Sequence, residues 1–212
     1  NGLDYTVNEV TTAVGAKQAI ASAMMVIAGP GDEVLLPIPC WVSYTEMIRL
    51  AGATPVFVPV RQDNYELDLD AIRAAITPRT KAIVICTPNN PTGAVYSEKS
   101  LRELADLAVK HDFFIVADEI YEKMVYDGAK HFSVASISRE VWERTITVNG
   151  FSKAYAMTGW RIGYAAARAD VIKGIMAVQS QTTSATSAIS QKAALAALQG
   201  SQHDLSLIHI SE

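Results

Sequence analysis

Apolar and polar positions along the 212-residue chain fall into two rhythms. Short runs such as Ala82-Ile83-Val84-Ile85-Cys86 and Phe113-Phe114-Ile115-Val116-Ala117 are apolar at nearly every position. That pattern predicts strands covered on both faces, as in a parallel sheet. Six strands are predicted in this way, over 33–36, 54–60, 82–86, 113–117, 145–149 and 162–166. Between them, apolar residues recur at three- and four-residue spacing, which predicts helices over 17–28, 41–51, 68–76, 98–111 and, with a break, 170–199. Ser97 stands as an N-cap before Leu101, Leu104, Leu107 and Ala108, which share one helical face. Asp68 and Asp70 put negative charge at the positive end of another helix, and Thr77-Pro78 closes it. Alternation of the two rhythms specifies an α/β fold, a mostly parallel central sheet flanked by helices and joined by right-handed crossovers.

Half of the residues are apolar and 19% are charged, the composition of a folded, core-rich chain. At roughly 150 residues per domain, the length allows one or two. The net charge is −4 and no Lys/Arg cluster stands out, which argues against nucleic acid as a partner. The longest uncharged apolar stretch, 18–31, is broken by Gly29-Pro30-Gly31 and is too short to span a bilayer. No basic and apolar leader opens the sequence. A cytoplasmic protein without membrane contact is expected. Two cysteines, Cys40 and Cys86, exclude a disulfide framework. His111, His131, His203 and His209 show no metal-ligand spacing, so no metal is expected. The sequence begins without methionine and is expected to be a piece of a longer chain. Its helical pattern stops near Gly200. Residues 206–212 neither extend that pattern nor form a capped strand, so they are expected to be non-native, leaving 1–205 as one domain incomplete at both ends.

Four places carry candidate chemistry. Asp118 directly follows an apolar run. Alone it reads as a solvated loop carboxylate, but ligands of open α/β sheets sit at strand carboxyl ends, where a carboxylate beside a dry core needs a cation. The run with Asp118-Glu119 also matches half of an ATPase site, yet the chain has no G-x-x-x-x-G-K-[ST] loop. Lys153 follows the strand at 145–149. A lysine is ordinarily a solvated surface cation, but at a site edge its amine can form a Schiff base. Arg161 reads as a surface arginine or as a fork-shaped phosphate donor. Gly15-Ala16-Lys17 opens a helix whose backbone N–H groups suit a phosphate. Glycine before a helix is ordinary, and no G-x-G-x-x-G is present.

The combination is more specific than its parts. Gly150-Phe151-Ser152-Lys153-Ala154-Tyr155-Ala156-Met157-Thr158-Gly159-Trp160-Arg161-Ile162-Gly163 resembles the cofactor-attachment signature of class I aminotransferases. Thr87-Pro88-Asn89-Asn90-Pro91-Thr92-Gly93 resembles the family's Asn-Pro-x-Gly loop, and Asp118-Glu119-Ile120-Tyr121 its Asp-x-x-Tyr motif. Pro39-Cys40-Trp41-Val42-Ser43-Tyr44 resembles its aromatic stacking segment. The four motifs keep the family's order and spacing across about 10–200 and look most like the bacterial aspartate aminotransferase branch.

The resemblance implies the large domain of a pyridoxal-phosphate-dependent transaminase, exchanging an amino group between an L-amino acid, aspartate or similar, and a 2-oxo acid. Lys153 is then the Schiff-base lysine and proton shuttle. Asp118 pairs with the pyridine nitrogen, and Tyr121 and Asn90 hydrogen-bond the ring's phenolic oxygen. Trp41 stacks on the ring, and with Asn90 it borders the substrate. Arg161 and the backbone of Gly15, Ala16 and Lys17 hold the phosphate. A homodimer is implied, and the fragment alone is expected to be inactive. One departure stands out: some members place a phosphate-binding serine three residues before the lysine, where this chain has Gly150. Other readings of the same residues are another reaction of the same cofactor class, such as a C–S lyase, or a non-catalytic regulator domain.

Overall fold

The computed structural model describes residues 1–202, and its apolar runs assemble into one seven-stranded sheet. The strands are β1 (Val10–Ala13), β2 (Glu33–Ile38), β3 (Thr54–Pro59), β4 (Thr80–Cys86), β5 (Phe114–Asp118), β6 (Thr145–Gly150) and β7 (Gly163–Ala166). The helices are α1 (Gly15–Ile27), α2 (Ser43–Leu50), α3 (Leu69–Ala75), α4 (Glu98–His111), α5 (Arg139–Arg144), α6 (Ala169–Thr182) and α7 (Ala188–Gln199). Across the sheet the order is β1-β7-β6-β5-β4-β2-β3. Strands β2 to β6 run parallel, and β7 is antiparallel to both β6 and β1. The mostly parallel α/β sheet expected from the sequence is the one that forms.

Strand side chains alternate between two cores. Val34, Leu36, Val84, Val116 and Val148 join Ile20 and Met24 of α1 and Ile172 and Ile175 of α6. Leu35, Ile83, Ile85, Ile115 and Ala117 join Ile72 of α3 and Leu101, Leu104 and Ala108 of α4. Continuous apolar runs are thus needed because both faces are covered. Each such Leu, Ile or Val side chain contributes about 1.5–3 kcal/mol on leaving water.

Caps act where the sequence put them. Ser97 Oγ accepts the Ser100 N–H at 3.2 Å, and Asp68 Oδ1 accepts that of Ala71 at 3.0 Å. Two elements fall outside the predicted set. Strand β1 is only Val-Thr-Thr-Ala at the sheet edge, too short and polar to register as an apolar run. Helix α5 is six residues with charge at four of them, and it is started by Ser138, whose Oγ accepts the Val141 N–H at 3.2 Å. Helix α2 begins at Ser43, not 41, which leaves Trp41 in the preceding turn. The break in the last predicted helix falls between α6 and α7. The expected boundary at 205 and tail at 206–212 lie outside the described residues.

This topology decides what meets. The carboxyl ends of β2, β4, β5 and β6 share one edge, because those strands are parallel. Two reversals bring the carboxyl end of β1, and with it the start of α1, to the same edge. The single reversal at β7 brings its amino end there, just after Arg161.

Candidate active site

Ala16, Lys17, Trp41, Asn90, Asp118, Tyr121, Lys153 and Arg161 line one cleft of about 220 Å³ at that edge, together with Tyr44, Ile120, Ser152 and Thr158. Every candidate residue except Gly15 therefore faces one space, and Gly15 borders it through Arg161. The last four were not singled out as site residues by sequence. Ser152 adjoins Lys153, and Tyr44 lies one turn beyond Trp41, which is the signal that could have found it.

Asp118 closes β5 with its backbone in register with Cys86 of β4 and Val148 of β6. Its side chain is 3% exposed. Oδ2 accepts the Tyr44 hydroxyl at 2.6 Å and Oδ1 accepts the Ile120 N–H at 3.2 Å. No cationic side chain is paired with it among the described residues. Burial therefore pushes its pKa from the ordinary carboxylate value up to about 6, and the two donors offset only part of that rise.

Tyr121 and Asn90 meet directly, with Asn90 Nδ2 donating to the Tyr121 hydroxyl at 3.3 Å. Burial raises the Tyr121 phenol, and the neighbouring Cys86 and Asp118 raise it further, so at neutral pH it remains a donor. Lys153 sits three residues beyond β6 in a tight turn, its carbonyl accepting the Ala156 N–H at 3.1 Å. Its Nζ lies 5.7 Å from the Tyr121 ring centroid. Lys17 Nζ stands 4.8 Å from the centroid of Trp41. Lys17, Lys153 and Arg161 form no ion pair among the described residues, so the cleft mouth is electropositive.

Arg161 has φ +48°, a left-handed conformation rare for a side-chain-bearing residue. Strain of that kind survives where surrounding structure over-determines it. Here Nη1 donates to the Thr158 carbonyl at 2.9 Å and Nη2 to that of Val14 at 3.4 Å. Gly15 has φ +80°, and a Cβ there would lie 2.3 Å from Arg161 Nη2. Gly163 is needed for a different reason: a Cβ would meet Ala16 N at 2.6 Å and the Gly15 carbonyl carbon at 2.7 Å. Two glycines thus let the positive end of α1 close against the arginine. At Gly150 a Cβ would lie 3.0 Å from Gly163 Cα and 3.1 Å from the Ile162 carbonyl oxygen. The tight β6–β7 pairing leaves little room for a side chain at this position.

An open, mostly parallel α/β sheet thus carries a lysine, a buried aspartate and an arginine near a helix N-terminus along one edge. The family model for aminotransferase class I and II matches residues 1–211, and the chain belongs to that family. It is 47% identical over 203 residues to an aspartate aminotransferase of Bacillus sp. (strain YM-2), covering 95% of this chain and 52% of the relative. It is 49% identical over 209 residues to a probable aspartate/prephenate aminotransferase of Thermus aquaticus, covering 98% and 54%. The structure of the Thermus thermophilus aspartate aminotransferase with maleate superposes with TM-score 0.94 at 47% identity, over 99% of this chain and 55% of that one. The chain spans about half the length of the curated relatives it matches.

Proposed function

We propose that this chain is the cofactor-binding part of a pyridoxal-phosphate-dependent aminotransferase that moves an amino group between an L-amino acid, aspartate or similar, and a 2-oxo acid. The observation that carries this reading is Asp118, a carboxylate buried without a cation and facing the same cleft as Lys153 and Arg161.

The donor set fits the cofactor group by group. Asp118 lacks a cation, and a protonated pyridine nitrogen supplies one. The start of α1 and the guanidinium of Arg161 offer oriented N–H groups to a phosphate, and the absence of a side chain at Gly15 keeps them close. Tyr121 and Asn90 offer donors to a phenolic oxygen, and Trp41 offers an aromatic face. When bound, pyridoxal phosphate supplies an aldehyde that condenses with amines and a ring that accepts electrons from the substrate Cα.

The chain's own residues do the rest. The amine of Lys153 would be the attachment point for the cofactor's aldehyde, and its Nζ would carry the proton that the reaction moves. Asp118 would supply the negative charge that pairs with a protonated ring nitrogen. Lys17, unpaired above Trp41, favours a substrate with a second carboxylate, in keeping with the maleate named for the Thermus thermophilus enzyme. The functional unit is a homodimer. Support comes from an apolar groove of Val14, Ala21, Met47 and Leu50 that shares Lys17 and Arg161 with the cleft. A cytoplasmic location is part of this proposal, supported by the free Cys40 and Cys86. No described helix is long and apolar enough to cross a membrane.

Borohydride reduction of the full-length protein with pyridoxal phosphate, followed by peptide mapping, tests the reading. A pyridoxyl group is expected on Lys153, and Lys153→Ala is expected to lose at least about 10³-fold in turnover. Label on a different lysine overturns the assignment.

A further inference from the structure

Tyr44 belongs to none of the roles above, yet it touches the group on which they depend. Chain direction changes after β2, and the turn into α2 is closed by the Tyr44 N–H donating to the Trp41 carbonyl at 3.1 Å. The Trp41 and Tyr44 rings pack edge to face, with centroids 5.3 Å apart and planes at 89°. Tyr44 is 2% exposed, so its hydroxyl must find a partner inside the protein. That partner is Asp118 Oδ2 at 2.6 Å, within the range of a charge-assisted O–H···O bond. The other donor to Asp118, the Ile120 N–H, comes from the carboxylate's own turn. Among the described residues, Tyr44 is therefore the one side chain from a different element of the fold that hydrogen-bonds this carboxylate.

We propose that Tyr44 is a positioning residue for the cofactor site: its hydroxyl sets the plane of the Asp118 carboxylate and ties it to the Trp41 corner. One turn thereby fixes both the aromatic face and the counter-ion that a protonated pyridine ring would meet. The proposal rests on the functional reading above. Two donors on two different oxygens leave the carboxylate little freedom to rotate. Without the hydroxyl, Oδ2 is buried with no donor, and the carboxyl takes up a proton more readily. The other titratable groups around it are Cys86 on β4, Glu119 and Tyr121 in its own turn, and Lys153 after β6. None of them hydrogen-bonds either Asp118 oxygen.

The test compares Tyr44→Phe with the wild type in the full-length protein. Carboxyl ¹³C NMR of the cofactor-free protein, with Asp118→Asn to assign the signal, follows protonation of Asp118. Tyr44→Phe is expected to move the midpoint up by about one pH unit. It should also weaken pyridoxal phosphate about tenfold and shift the pH midpoint of the bound cofactor's absorbance, with little change in amino-acid KM. Substitution of Tyr44 by 3,5-difluorotyrosine, a better donor of nearly the same shape, should move the carboxyl midpoint down, and it serves where Tyr44→Phe fails to fold. Opposite shifts from the two variants are not expected of a merely structural residue. An unchanged midpoint and unchanged affinity in a folded variant overturn the role of Tyr44 and leave the functional reading standing. Failure of the wild type to bind pyridoxal phosphate overturns both.

Discussion

Asp118 and Glu119 are consecutive, both acidic and both buried, at 3% and 1% exposure, yet the fold treats them oppositely. Backbone alternation sends them to opposite faces of the sheet edge. Glu119 is provided for: Oε1 accepts the Ser133 hydroxyl at 2.5 Å, Oε2 accepts Asn1 Nδ2 at 3.3 Å, and His131 Nε2 lies 3.2 Å from Oε2. With Glu122, these groups bring carboxylate and imidazole atoms within 4.8 Å of one another. Asp118 has two donors, no cation, and a cleft in front of it. A buried charge whose partners are all internal serves the fold. One left facing an open cleft is available to a ligand, and it makes the free protein less stable than a neutral residue there would.

The sharpest way to break the comparison is Asp118→Asn. Cofactor affinity should fall about 10²–10³-fold, the cost of leaving a buried cation unpaired; equilibrium dialysis with pyridoxal phosphate measures it, and an unchanged affinity would remove Asp118 from the site. Next comes pH. The Asp118 pKa in the folded protein, about 6, lies above its ordinary value of 3.8. Its contribution therefore favours folding as pH falls from 7 through 6 towards 4, by up to about 3 kcal/mol. Cofactor-free wild-type protein should gain this increment in denaturant titrations across that window. Asp118→Asn should lack it and be the more stable of the two at pH 7.

Glu119→Gln should do the reverse at pH 7, destabilising the protein by about 2 kcal/mol because the Ser133 hydroxyl loses its charged acceptor, while cofactor affinity stays within a few-fold. A large loss of affinity in that variant would show that the two acids are not separate in function. Smallest of all, Ser133→Ala should cost about 1 kcal/mol of stability through the lost hydrogen bond to Glu119, with no change in the spectrum of bound cofactor.

How much of this was legible in the sequence differs between strand and site. The buried parallel strands were readable because covering both faces forces continuous apolar runs, and Ser97 and Asp68 were readable as caps because capping is local. Strand β1 was not: its pairing with β7 joins residues about 150 apart, and Val-Thr-Thr-Ala carries no apolar run of its own. Lys153, Asp118, Asn90, Trp41 and Arg161 were legible through motifs and adjacency to strand ends. The Asp118–Tyr44 bond was not, because it joins residues 74 positions apart on elements whose facing depends on strand order.

The sequence by itself determined the alternation of strands and helices, the two-sided core, and which residue types stand at the strand ends. Those follow from periodicity, capping and chain connectivity, which act over a few residues. Only the tertiary structure decided that β7 runs against its neighbours and so returns Arg161 to the edge that holds Asp118 and Lys153. It also decided that Gly15 and Gly163 must lack side chains for α1 to close there, and that of two adjacent acids one is enclosed by partners and the other faces the cleft. Sheet order and the direction of each strand set these outcomes. They are fixed by how the whole chain buries its apolar surface, which no short stretch of sequence encodes.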